Sequence, residues 1–438
     1  MTRRADRSCL GHDARIPKEN TGGLAEPIAP SSGPRILGME GLRGIAAVTV
    51  LVGHVSIHLA RSVDKGVVDP LFAVMGQGLT LFFALSGFLL YLSFARAIVT
   101  GQRFPRIDRF FENRGLRIFP AYIVILLLVS LVFGVAYANS VGPDVGPEGA
   151  ESSVGYMTNP IKLLANATML HTLFPSTIKT GLGVSWSLTV ELIFYLILRV
   201  LAIIAYRLRR TGISSVILAL APPAVMLGIG LVGKAVQALT VNPVDANERF
   251  YLEWGGNWTA VFARSFLVHA DLFAFGMLAA VMVAFFNAGV LPASLRQYAR
   301  WAGLVAGLAV VAIGRHTVVE DTVWAALGGA IIMFVALPNR ADSPSILARV
   351  FEFIPFRYVG EVSYSLYLWH IPVIWFLARH GWVFPETLPG FYGNLALVFV
   401  VAVGLASITY YGIERPALKL KRNTVSTRSG SHAATSAP

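Results

Sequence analysis

Cysteine is almost missing. Cys9 is the single one in 438 residues, and it lies in a polar N-terminal segment. That excludes a disulfide framework, a thiolate metal cluster and a thiol nucleophile within a core. Charge is scarce as well, 14% of residues against 55% hydrophobic, and mean hydropathy reaches +0.63. Such values exclude an ordinary soluble domain and leave a polytopic membrane protein. The first 35 residues contain no apolar h-region, which excludes an ordinary cleaved signal peptide and suggests a disordered tail. No transporter-type or solenoid repeat is visible.

What is present is a series of apolar runs. They predict about ten transmembrane helices, near 40–60, 71–97, 118–138, 184–206, 213–238, 263–287, 301–315, 323–338, 358–379 and 391–413. The fold expected is therefore an all-α polytopic bundle. The seventh and eighth runs are short, either two crossings or a re-entrant pair, and parity is the same both ways. Basic residues outnumber acidic ones, 36 to 24, and collect on one side of the predicted membrane: Arg3, Arg4, Arg7, Arg15 and Lys18, the 99–117 loop, Arg207 to Arg210, Arg296, Arg300, Arg340, Arg349, Arg357, and Lys419 to Arg422. The positive-inside rule then puts both termini in the cytoplasm and the loops 139–183 and 239–262 outside. The positive surplus reads as topology, with no nucleic-acid partner. The domains expected are a disordered cytoplasmic tail over 1–35, a membrane domain over 36–418, and a basic then disordered tail over 419–438.

Ionisable groups inside the runs carry the chemistry, because at bilayer depth they are costly and normally face a protein interior or wet cavity. Arg43 and His54 lie eleven residues apart in the first run, which places them on one helix face about 16 Å apart. Arg114 and Arg117 sit three apart beside the third run. Arginine's planar fork suits the phosphates of a nucleotide-like donor, although Arg103, Arg106 and Arg109 nearby equally suit anionic lipid. Glu191, in Ser185-Trp186-Ser187-Leu188-Thr189-Val190-Glu191, shares a face with Trp186 or Ser187 and with Tyr195. It either meets and orients a histidine or forms a structural ion pair. Ser86, beside Gly87, reads as packing or as a nucleophile without an adjacent base. Ser363 to Pro372 includes Tyr367 and His370, the latter holding a proline bend or touching substrate. His269 and Asp271, two apart on a helix, point away from each other, and no metal is expected. Tyr251, Trp254 and Trp258 in the second outer loop suit a sugar ring or a membrane interface.

Taken in order, Glu40-Gly41-Leu42-Arg43 to His54, Phe82 to Gly87, Arg114 to Arg117 with Pro120 and Tyr122, Trp186 to Glu191, Ser363 to Pro372, and Glu414-Arg415-Pro416 resemble the acyltransferase-3 family. These are integral membrane O-acyltransferases of bacterial cell-surface polysaccharides, nodulation factors and some antibiotics. The resemblance covers about Ile36 to Pro416, and Glu40 stands where the family often has Asp. It implies that His54 is the catalytic base, that Arg43 supports it or the donor, and that Arg114 and Arg117 flank the access of acyl-CoA from the cytosol. Glu40, Ser86, Trp186, Ser187, Tyr195, Tyr367 and His370 are then supporting residues, with Glu191 a candidate orienter of the base. The expected activity moves an acyl group, acetyl in the first instance, from acyl-CoA to a hydroxyl of a cell-envelope glycan or glycosylated molecule. No permanently bound cofactor is expected, and the setting is the cytoplasmic membrane of a bacterium. Some members carry a fused extracytoplasmic hydrolase-like domain; none is expected here. The rival reading is a proton-coupled transporter with His54, Arg43 and Glu191 as a relay.

Overall fold

The computed structural model describes residues 35–63, 66, 74–142, 153–241, 245–339 and 343–420. Cys9, nearly all of both expected tails, and Arg340, Lys421 and Arg422 lie outside the described residues. The architecture is an all-α polytopic bundle. Among the described residues, eight helical segments are long and apolar enough to cross a membrane: Met39–Leu59, Gly78–Thr100, Arg109–Val132, Trp186–Thr211, Ser215–Thr240, Trp258–Asn287, Ala293–Gly314 and Leu388–Leu420. Two further helices, Glu320–Ala336 and Ser363–Arg379, have 17 residues each and occupy the remaining two expected runs. At 1.5 Å per residue they extend about 25 Å, slightly less than the hydrocarbon core of a typical bilayer.

The site is built from α1 (Met39–Leu59), α2 (Gly78–Thr100), α3 (Ile107–Leu127) and, after a short α4 (Pro160–Ala167), α5 (Trp186–Leu208). Then follow α6 (Ser215–Thr240), the short α7 (Ala246–Trp254) and α8 (Trp258–Ala263), α9 (Phe266–Asn287), α10 (Arg296–Gly314) and α11 (Glu320–Ala336). The chain ends with α12 (Ile346–Phe351), α13 (Ile354–Glu361), α14 (Ser363–Arg379) and α15 (Leu388–Thr409). The largest difference from the hydropathy reading is at α3. It starts at Ile107, so Arg109, Arg114 and Arg117 ride on its first turns rather than in a loop. Arginine and glutamate are good helix formers, whereas hydropathy registers only the apolar part of the helix.

The bundle centres on α9, which packs against α2, α6 and α11 and whose apolar residues are buried nearly all round. Where α2 and α9 cross, a Cβ on Gly276 would lie 1.7 Å from the Ala84 carbonyl oxygen, and one on Gly87 2.2 Å from that of Phe273. Only glycine lets these backbones touch. The start of α1 presses equally closely on α13: a Cβ on Gly360 would lie 1.8 Å from the Glu40 carbonyl oxygen. That contact fixes the stretch carrying Arg43.

The segments expected as outer loops form a folded cap. Strands β1 (Ala136–Tyr137) and β2 (Val154–Gly155) pair antiparallel, and bridges join Tyr137 to Gly181 and Val141 to Gly255. Asn166, fully buried, donates to Thr180 and to the Lys162 carbonyl, while Tyr122 on α3 donates to the Asn166 carbonyl. The His171 ring also lies inside the cap, bonded through Nε2 to Ser185 at 2.9 Å, and burial pushes it down to about 3.

Candidate active site

Eight of the residues singled out in the sequence line one cavity: Arg43, Ser86, Arg114, Arg117, Ser187, Glu191, Tyr195 and Tyr367. Helical spacing explains the set, because Ser187, Glu191 and Tyr195 recur every four residues along α5, and Arg114 and Arg117 are one turn apart on α3. The rest of the lining is mainly apolar, with Phe82, Leu85 and Leu89 from α2 and Ile118 from α3. Three guanidinium groups against one carboxylate make the lining strongly electropositive.

Glu191 is engaged at once. The Ser86 hydroxyl donates to it at 2.7 Å, and it lies within electrostatic range of Arg114, Tyr195 and Arg43. Glu191 therefore pairs with a serine and faces arginines; His54 takes other partners. Arg43 pairs with Glu40 at 3.6 Å and feels Arg117, Glu191 and Glu414. Arg114 stands over the Tyr195 ring, and its buried Nε has no hydrogen-bond partner. Such an orphaned donor in a basic cavity is open to an anionic ligand. Arg103, Arg106 and Arg109 are exposed, apart from this lining.

Tyr367 is part of the lining, and its hydroxyl bonds to Ser187 at 2.8 Å. Behind Tyr367, 5.7 Å between ring centres, stands His370, and His370 touches His54. Backbone carbonyls fix the protons of the two imidazoles. His54 Nδ1 lies 2.9 Å from the Val50 carbonyl oxygen and His370 Nδ1 lies 3.3 Å from that of Leu366. A carbonyl can only accept, so both Nδ1 atoms carry the hydrogen. His370 Nε2 then offers a lone pair to the same His54 N–H at 3.2 Å, a three-centre bond. His54 is left with a deprotonated Nε2, the atom a general base needs. The sequence offered no sign of this pairing, since the two histidines are 316 residues apart.

Other expected residues lie elsewhere. Trp186 packs on His269 and Trp254 and beneath the Arg264 guanidinium. His269 and Asp271 have separate surroundings: His269 bonds to the Ser265 carbonyl, while Asp271 takes both oxygens to Lys234 at 2.7 and 2.9 Å. Trp254 also stacks with Arg264, and Trp258 is exposed. Four groups were not recognised from sequence as parts of a cluster. Lys234 is one, and an apolar run interrupted by a single lysine was its signal. Lys179 sits over the rings of Tyr137, Phe250 and Trp254. His58 stacks on His54. Glu414, buried in a π-helical turn Tyr410–Glu414, accepts from Ser365.

An arginine-lined cavity within a membrane-spanning bundle fits a membrane-embedded group-transfer enzyme. The chain belongs to the acyltransferase family whose model, described as an acyltransferase domain, matches residues 36–411. It is an acyltransferase that transfers groups other than aminoacyl groups. It is 27% identical over 405 residues to nodulation protein 10 of Rhizobium leguminosarum bv. viciae, covering 88% of this chain and 94% of that protein. It is 24% identical over 346 residues to the peptidoglycan O-acetyltransferase OatA of Listeria monocytogenes, covering 77% of this chain but only 49% of OatA. No solved structure matches it.

Proposed function

We propose that this enzyme transfers an acyl group, in the first instance acetyl, from acyl-CoA on the cytoplasmic side to a hydroxyl of a cell-envelope glycan, with His54 as base. The observation that carries the reading is the single cavity joining Arg43, Arg114 and Arg117 to the wall behind which His370 and His54 stand. Guanidinium forks at one end suit the donor's phosphates, and the apolar lining suits its pantetheine arm and acyl group. Both termini are cytoplasmic on this reading, because the basic residues of α3 and the 207–210 turn then face the cytosol. The relative named as an O-acetyltransferase of peptidoglycan supports an oxygen acceptor.

In the mechanism that follows, the acceptor hydroxyl gives its proton to His54 Nε2 as its oxygen attacks the thioester carbonyl. The tetrahedral adduct collapses, the C–S bond breaks, and the thiolate leaves with the proton returned from the imidazolium. His370 is a positioning residue: its lone pair holds the His54 N–H and steadies the positive charge that develops. Glu191, held by Ser86, offsets the crowded arginines of the donor cavity.

The test is release of CoA and formation of acetyl ester by the purified protein with acetyl-CoA and a peptidoglycan digest. Wild type is expected to turn over and His54→Ala to lose at least about 100-fold, the lower range for a general base. Equal rates in the two proteins sink His54 as the base, and transport of acetyl-CoA or protons without ester formation favours a transporter.

A further inference from the structure

His58 lies one helical turn beyond His54, further from Arg43, and the two rings stack 6.0 Å apart at 12°. Across from it Trp375 of α14 packs 4.7 Å away. Each ring holds a buried polar atom without a hydrogen-bond partner, His58 Nδ1 and Trp375 Nε1. Buried polar atoms are nearly always paired in native proteins. Two orphans on touching rings, next to the imidazole with the free lone pair, mark a place for a ligand's polar atom.

We propose that His58 and Trp375 form the acceptor subsite and hold a sugar hydroxyl for transfer, a role that rests on the acyl-transfer reading above. The chemistry selects the ligand. Trp375 Nε1–H only donates, so the bound atom must accept, and it must also bond with an imidazole nitrogen. One hydroxyl oxygen does both. A protonated amine has no lone pair for the indole and is refused, so the pair favours oxygen acceptors over amines. Tyr137 packs against the Trp375 ring at 6.2 Å and 90°, so the pair is walled by a further aromatic side chain. The subsite and the arginine cavity thus lie on opposite sides of the His54–His370 pair, one for each substrate.

The test is equilibrium binding by the full-length protein in detergent, measured calorimetrically with lysozyme-released peptidoglycan fragments and with an N-acetylglucosamine tetramer. Trp375→Phe keeps the ring and removes the donor; His58→Phe keeps a ring and removes both nitrogens. Each is expected to weaken glycan binding about tenfold, the loss of one hydrogen bond. Trp382→Phe, at an exposed tryptophan, should bind as wild type does. Melting temperature and binding of CoA, measured on the same samples, identify a variant that has merely lost its fold. Wild type that binds neither glycan overturns the subsite, as does a folded Trp375→Phe that binds within twofold of wild type. Acetyl transfer is followed in parallel. Glycan binding that depends on Trp375 without transfer sinks the acyl-transfer reading alone, whereas normal transfer by both variants with unaltered affinity sinks the subsite alone.

Discussion

Replacing His370 by alanine separates the two roles assigned to the paired imidazoles. His54 Nδ1–H is shared between the Val50 carbonyl at 2.9 Å and His370 Nε2 at 3.2 Å. Without His370 the shorter bond survives, and with it the tautomer that leaves Nε2 basic. What disappears is one hydrogen bond to a ring that becomes positive during the reaction. Such a bond contributes about 1.5–3 kcal/mol, which at about 1.4 kcal/mol per decade is roughly a 10- to 150-fold loss of kcat. The KM for acetyl-CoA should change little, because the arginines line the cavity and His370 does not. His370→Gln, with an amide oxygen as acceptor, should recover part of the loss. The assay is steady-state CoA release, with His54→Ala as the reference. A His370→Ala loss well beyond about 150-fold that His370→Gln does not partly restore would refute the reasoning, since His370 would then be the base. So would a rate within twofold of wild type.

Three other outcomes are expected. Arg114→Ala should raise the KM for acetyl-CoA roughly 10- to 100-fold, the loss of a charge-assisted bond to phosphate, with Arg114→Lys in between; an unchanged KM places the donor elsewhere. Lys234→Met strands Asp271, which has 0% exposure, and should cost about 3–5 kcal/mol of stability, most of it regained in Lys234→Met/Asp271→Leu; thermal melting of the set decides, and no recovery means the pair is not the source. Burial and the nearby Arg264 push Lys179 from 10.5 down to about 7. Between those values the unfolded chain holds a proton that the folded one lacks, so stability rises with pH across that window. Lys179→Met should remove that rise, and its melting advantage over wild type should be largest below pH 7; a constant gap from pH 6 to pH 10 contradicts the assignment.

The bundle was legible in the sequence because bilayer helices need long apolar runs, and each of the ten expected segments overlaps a helix. The start of α3 was not, since its charged first turns carry no hydropathy signal. The cavity was half legible. Ser187, Glu191 and Tyr195 follow from spacing along one helix, as do Arg114 and Arg117. The partners across helices were not: Ser86 with Glu191, His54 with His370, and Lys234 with Asp271 are set by how distant helices pack, which no local pattern records. The outer loops were misleading in a different way. They were read only as connections outside the membrane, yet Asn166, Thr180 and the Gly181 bridge make their described residues a folded cap.

The glycine crossing of α2 and α9 bears on how the donor preference of such an enzyme can be altered. Leu85, Leu89 and Phe82 present side chains to the cavity from a helix whose backbone already touches its neighbour at Gly87 and Gly276. That wall has no room to retreat. If the proposed donor binds here, a longer acyl chain is admitted by trimming the side chains themselves or by yielding on the side of α3 and α14, not by sliding α2 outward. Redesign for succinyl or longer donors therefore begins with substitutions such as Leu89→Ala and Ile118→Ala, and leaves the glycines alone.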